Sequence, residues 1–190
     1  MEPVSMEATR RRLTEKQADT VDRLTRAAMD VLAREGFAGL TVRMVAAAAG
    51  VGTATAYTYF SSKEHLVAEM FWRRLAATPA PDGTEEDSTA RTLAVLRQIA
   101  MLVADEPALA GAVTSALLGT DPDVAHLRLR IGNEIRRRLI DALGGAPDME
   151  IVETLELLYA GALVRAGMGY ASYAEIAERL EQAGARILAG

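Results

Sequence analysis

Leu40-Thr41-Val42-Arg43-Met44-Val45-Ala46-Ala47-Ala48-Ala49-Gly50-Val51-Gly52-Thr53-Ala54-Thr55-Ala56-Tyr57-Thr58-Tyr59-Phe60 packs two short helical signals around one tight turn. Thr41 can cap a helix whose inward face is Val42, Val45, Ala46 and Ala49. Gly50-Val51 breaks that helix, and a further segment runs from about Thr53 to Phe60. Ala46, Gly50 and Ala56 carry the spacing of a helix-turn-helix. A small residue lets two helices approach, a glycine supplies the turn, and an apolar residue anchors the second helix. The other face of that helix is left free to enter a major groove.

Working outward, Val21, Leu24, Ala28, Val31 and Leu32 form a helical stripe before Gly36, a natural stop. Ser61 and Glu64 fit a capping box that opens a helix to about Ala76. Residues 78–88 are rich in Pro, Gly and acids and mark a boundary. Five further helices are expected over about 89–104, 107–118, 122–143, 149–169 and 173–188. Asp105-Glu106-Pro107, Asp121-Pro122, Asp148 and the Ser172/Glu175 capping box punctuate them. No strand pattern or internal repeat appears, so the fold class is all-α with about nine helices. The organisation expected is a flexible arm over 1–18, a helix-turn-helix domain over 19–61, and a larger helical domain over 62–190. Arg10-Arg11-Arg12 in the arm could touch phosphates.

The chain has 190 residues, half of them hydrophobic and a quarter charged, which excludes a wholly disordered protein. The absence of cysteine excludes disulfides, thiolate catalysis and cysteine-ligated zinc. Two histidines, His65 and His126, leave little for a metal site or an acid–base pair. No cofactor, metal or catalytic residue is expected. The net charge of −5 is uneven: residues 1–74 carry +2 and residues 75–190 carry −7. Residues 1–74 therefore permit a polyanion without demanding one. Neither a signal peptide nor a membrane span is expected, and the default location is the cytoplasm.

Gly36-Phe37, Leu40-Thr41-Val42-Arg43, Ala49-Gly50-Val51, Thr55-Ala56-Tyr57-Thr58-Tyr59-Phe60 and Ser62-Lys63-Glu64-His65-Leu66 closely resemble the N-terminal domain of TetR/AcrR transcriptional regulators. The likeness covers about residues 20–75. It departs at Gly52 and Ala54, where the family commonly has Ser and Gly. Gly52 forfeits a side-chain cap on the second helix.

The resemblance and the chemistry together assign DNA contacts. Thr41 and Arg43 would meet phosphates, and Thr53, Thr55 and Thr58 would meet base edges or thymine methyls. Tyr57 and Tyr59 diverge on the helix, and the family pattern makes Tyr59 a phosphate contact; Lys63 would be another. A twofold homodimer would span a palindromic operator of double-stranded DNA. The family pairs its last two helices, which implicates Gly161, Val164, Ile176, Leu180, Ala183 and Ile187. The family's effector cavity lies among the middle helices, with Trp72, Met101, Leu102, Leu118, Leu155, Tyr159, Leu163 and Met168 as lining candidates. Their low polarity points to a small hydrophobic effector such as a lipid, acyl-CoA, steroid or apolar antibiotic. Arg165 could meet an anionic group on it. The implied function is a ligand-responsive repressor. A helical adaptor without DNA contact, and a small helical enzyme for which no motif speaks, are the alternatives.

Overall fold

A computed structural model describes residues 15–81 and 87–190, and among them the chain is all-α. The helices are α1 (Glu15–Gly39), α2 (Val42–Ala48), α3 (Thr53–Tyr59), α4 (Lys63–Ala77), α5 (Ser88–Met101), α6 (Pro107–Leu118), α7 (Pro122–Leu143), α8 (Met149–Gly167) and α9 (Tyr173–Leu188). Residues 15–18, expected in the arm, belong to α1; Arg10-Arg11-Arg12 lies outside the described residues. Gly36 adopts φ 66° and kinks α1 near the expected stop, and helical hydrogen bonding resumes to Gly39.

The caps follow side-chain chemistry. Thr41 Oγ1 accepts from Met44 N, Asp121 from Asp123 N and Val124 N, and Asp148 from Glu150 N. Ser172 and Glu175 close a full capping box. The expected Ser61/Glu64 box shifts by one residue: Ser62 caps α4 by accepting from His65 N. Ser61 is drawn away because its hydroxyl donates to Asp123 on α7.

α1, α2 and α3 form a head around Leu24, Ala28, Leu32, Leu40, Val45, Ala46, Ala56 and Phe60, all 2% exposed or less. The head sits on the rest through α1 against α6 and through the start of α4. In the body, α4 packs on α6 and α7, while α5 packs on α7 and α9. The α5–α9 crossing is close. A Cβ on Gly184 would stand 2.9 Å from Leu93 Cδ2 and 3.0 Å from Leu96 Cδ1.

This crossing removes Ile176 and Leu180 from the expected dimer surface. Ile176 and Leu180 are 2% and 1% exposed within the subunit, and Ile187 packs against its core. The α9 stripe therefore holds the subunit together; Ala183 on it is half-buried.

Among the described residues, one charged side chain lies inside the body. Arg138 of α7 is 3% exposed. Its Nη2 donates to the carbonyls of Leu75 and Thr78 at 2.7 and 2.8 Å, at the C-terminal end of α4. Its Nε reaches Glu134 at 2.8 Å, and Nη1 reaches Gln98 Oε1 on α5 at 3.2 Å. Hydrogen bonds from Arg137 first, then Arg138, hold the Glu134 carboxyl below its ordinary value. A buried guanidinium is tolerable only with its donors engaged, and here each nitrogen has a partner. Arg138→Ala is expected to cost about 3 kcal/mol in urea unfolding. Arg137→Ala, at an exposed partner of the same carboxylate, should cost about 0.5 kcal/mol or less. Equal losses would contradict the assignment of Arg138 as the clamp.

Candidate DNA-reading face and effector cavity

The turn between α2 and α3 is built from the backbone. Gly50 takes φ 61°, and Val51 N donates to Ala46 O at 2.9 Å. Arg23 of α1 reinforces it, donating from Nη2 to the carbonyls of Ala49 and Gly50 at 2.7 and 3.2 Å. Sequence spacing gives no sign of Arg23, because its partners are main-chain atoms.

α3 has no side-chain cap at Gly52, as the departure at that position implied. Ala56 is its one buried residue. Thr53, Ala54, Thr55, Tyr57 and Thr58 are exposed, as are Thr41 and Arg43 at the start of α2. Thr58 Oγ1 is turned back onto Ala54 O at 3.1 Å, which leaves its methyl for outward contact. The two tyrosines diverge as expected. Tyr57 is half exposed, whereas Tyr59 is half-buried and packs against the head core. Tyr57 is thus the more exposed of the two side chains.

Lys63 has a different occupation from the expected phosphate contact. Its Nζ donates to Phe37 O at 2.9 Å and Ala38 O at 3.3 Å and lies 4.7 Å from the centre of the Phe37 ring. It ties the end of α1 to the start of α4. Arg43 carries no comparable tie among the described residues.

Two further bonds join head to body. Ser62 Oγ donates to Asp121 Oδ2 at 2.6 Å, and Ser61 Oγ donates to Asp123 Oδ2. The Ser62 hydrogen bond is the main cause that holds the Asp121 carboxyl below its usual value.

A cavity of about 270 Å³ lies between α4, α5, α6, α7 and α8. Phe71, Ile99, Val113, Leu117, Ile131 and Leu163 supply much of its apolar wall. Of the expected lining residues, Leu118, Tyr159 and Leu163 belong to it. Trp72, Met101, Leu102, Leu155 and Met168 do not. Trp72 lies beneath Arg130, with 4.2 Å from guanidinium carbon to ring centre. Leu155 is sealed in the core and Leu102 is 8% exposed on another side of α5. Met101 and Met168 face outward. Val164, expected at a dimer contact, is half-buried and also borders the cavity. Arg165 lies over the ring of exposed Tyr170 at 5.3 Å and is no part of the wall. Burial first, then nearby Glu156, pushes the Tyr159 hydroxyl up to about 12, so it remains a neutral donor.

Residues 24–70 match the model of bacterial regulatory proteins of the tetR family. An uncharacterized HTH-type transcriptional regulator of Mycobacterium tuberculosis (strain ATCC 25618 / H37Rv) is 45% identical over 177 residues, spanning 92% of this chain and 83% of that one. The chain belongs to the TetR family of DNA-binding transcriptional regulators. The fold agrees. A TetR regulator from Rhodococcus sp. RHA1 superposes with a TM-score of 0.74 at 21% identity, covering 93% of this chain and 99% of that one. Thermus thermophilus FadR, a TetR-family repressor in complex with lauroyl-CoA, superposes at 0.62 with 22% identity, covering 86% and 92%. Among the described residues of this TetR-family chain, no helix is long and apolar enough to cross a membrane.

Arg43 and Lys63 separate two kinds of basic residue on this head. Arg43→Ala should leave the melting temperature unchanged and lower the salt slope of DNA binding by about one. Lys63→Ala should instead lower stability by about 1–2 kcal/mol through the lost carbonyl bonds. Melting curves beside DNA titrations at several salt concentrations check this; an unaltered melting temperature in Lys63→Ala refutes the tie.

Proposed function

We propose that this TetR-family chain is a ligand-responsive repressor that binds a palindromic operator as a homodimer and leaves it when a small hydrophobic effector enters the cavity. The observation that carries this reading is α3. Five of its seven residues are exposed, and it is seated by one buried alanine. A helix held this firmly by its turn yet covered this little by its own protein suits insertion into a major groove. Thr53, Thr55, Thr58 and Tyr57 would read or flank bases, and Thr41, Arg43 and Tyr59 would meet backbone phosphates.

One such head reads few bases, so useful specificity calls for a pair. The subunit offers the outer face of α8 for this. Leu157 is 77% exposed and Met168 63%, with exposed Gly161 and half-buried Val164 between them at helical spacing. Isolated exposed leucines are ordinary, but an aligned apolar stripe on one helix favours a helix partner. The apolar cavity supports a hydrophobic effector, and the lauroyl-CoA complex of the Thermus thermophilus relative supports an aliphatic one. Cytoplasmic placement accords with a DNA-binding role.

The test is DNA retention by the full chain on the duplex upstream of its own gene. Affinity should fall about tenfold or more between 50 and 200 mM salt. Leu157→Glu should give a folded monomer in light scattering. It should lose about a hundredfold or more in operator affinity, because paired heads bind as one unit. A Leu157→Glu chain that remains dimeric refutes the α8 face, and salt-independent or absent DNA binding refutes the repressor reading.

A further inference from the structure

Arg128 projects from α7 into the wall of the cavity, whose lining residues include no Asp or Glu. Its Nη1 donates to Leu117 O at 2.9 Å and to Gly119 O at 2.8 Å, both at the end of α6. Arg73, Arg74, Arg97, Arg136, Arg137 and Arg138 all pair with carboxylates. Arg128 has neutral carbonyls as its partners and forms no ion pair among the described residues. The guanidinium is thus held in place by Nη1, while Nε and Nη2 keep donors to spare. A fixed positive charge beside an apolar wall is a preformed receptor for an anion, since charge-assisted hydrogen bonds are roughly twice as strong as neutral ones. Tyr159, kept protonated, and Thr114 add neutral hydroxyls to the same wall. A cationic ligand would find no counter-charge among these residues.

The size of the cavity limits the rest of the molecule. At about 270 Å³ it lies near the lower end of small-molecule sites, about 300–1000 Å³. That favours a short or medium aliphatic tail over a long one.

We infer that the effector is a medium-chain aliphatic acid, its free carboxylate paired with Arg128 and its tail against Phe71, Ile99, Val113 and Leu163. This rests on the reading of the cavity as an effector site. It specifies that the acid itself, rather than its coenzyme A thioester, is the preferred ligand.

Calorimetric titration of the full chain with decanoate, decanol and decanoyl-CoA tests it, with operator binding measured beside each. Decanoate is expected to bind about tenfold or more tighter than decanol. Arg128→Met should abolish that difference, and Arg128→Lys should retain part of it. Gly132→Leu fills the cavity from a position where an added Cβ meets open space, and should block decanoate. This second variant decides the matter even if Arg128→Met fails to fold. The inference is overturned if decanol or decanoyl-CoA binds as tightly as decanoate, or if decanoate does not bind. It is equally overturned if Gly132→Leu leaves decanoate binding intact or if folded Arg128→Met keeps the preference. Decanoate that binds as stated but leaves operator affinity unchanged upholds the carboxylate site and refutes the effector reading. Decanol or decanoyl-CoA that alone releases DNA does the reverse.

Discussion

α4 is fastened to α7 at both of its ends, and the relation between head and body depends on that. At its start, Ser62 donates to Asp121, the residue that caps α7. At its finish, the carbonyls of Leu75 and Thr78 accept from Arg138. Lys63 ties the same helix back to the last turn of α1. α4 also presents Phe71 to the cavity. A displacement of the cavity wall has therefore a short mechanical route to the head, through packed helices rather than through a flexible linker.

The magnitudes are suitable for a switch. Coupling between two binding sites is typically about 1–3 kcal/mol. Hydrogen bonds to charged groups contribute about 1.5–3 kcal/mol each. The Ser62–Asp121 bond alone is thus of the size that the proposed coupling between cavity and head would require. The Arg138 clamp serves the opposite need. A buried guanidinium with every nitrogen engaged is costly to dislodge, so the far end of α4 is firmly anchored.

Much of this was legible in the residues alone, because it follows from local chemistry. Thr41, Asp121, Asp148 and Ser172 cap where short polar side chains precede apolar periodic segments. Gly50 turns where a positive φ is required. The failures have a common cause: periodicity shows which face of a helix is apolar, and is silent on what covers it. The stripe Ile176, Leu180, Ala183, Ile187 is the most regular in the chain, and α5 covers it from within the same subunit. α8 carries apolar residues on both its buried and its exposed sides, so its exposed Leu157 is invisible beside buried Val152 and Leu155. The same limit explains why Leu155 and Leu163, both apolar on one helix, divide between core and cavity. Arg128, Arg138, Arg23 and Lys63 share a second kind of invisibility, since each binds carbonyls far away in sequence.

α3 shows how far the proposed reading surface depends on its surroundings. A helix of seven residues does not persist alone in water, and Gly52 denies this one a side-chain cap. Its conformation is imposed by Ala56 in the head core, by Phe60 behind it, and by Arg23 bracing the turn in front. Recognition and head stability are therefore not separable here. A change at Arg23 or Ala56 disorders the threonine face without touching a base, so loss of DNA binding alone does not identify a contact residue. Arg43 and Thr55 are the positions where the two effects part, because both are exposed and neither braces the turn.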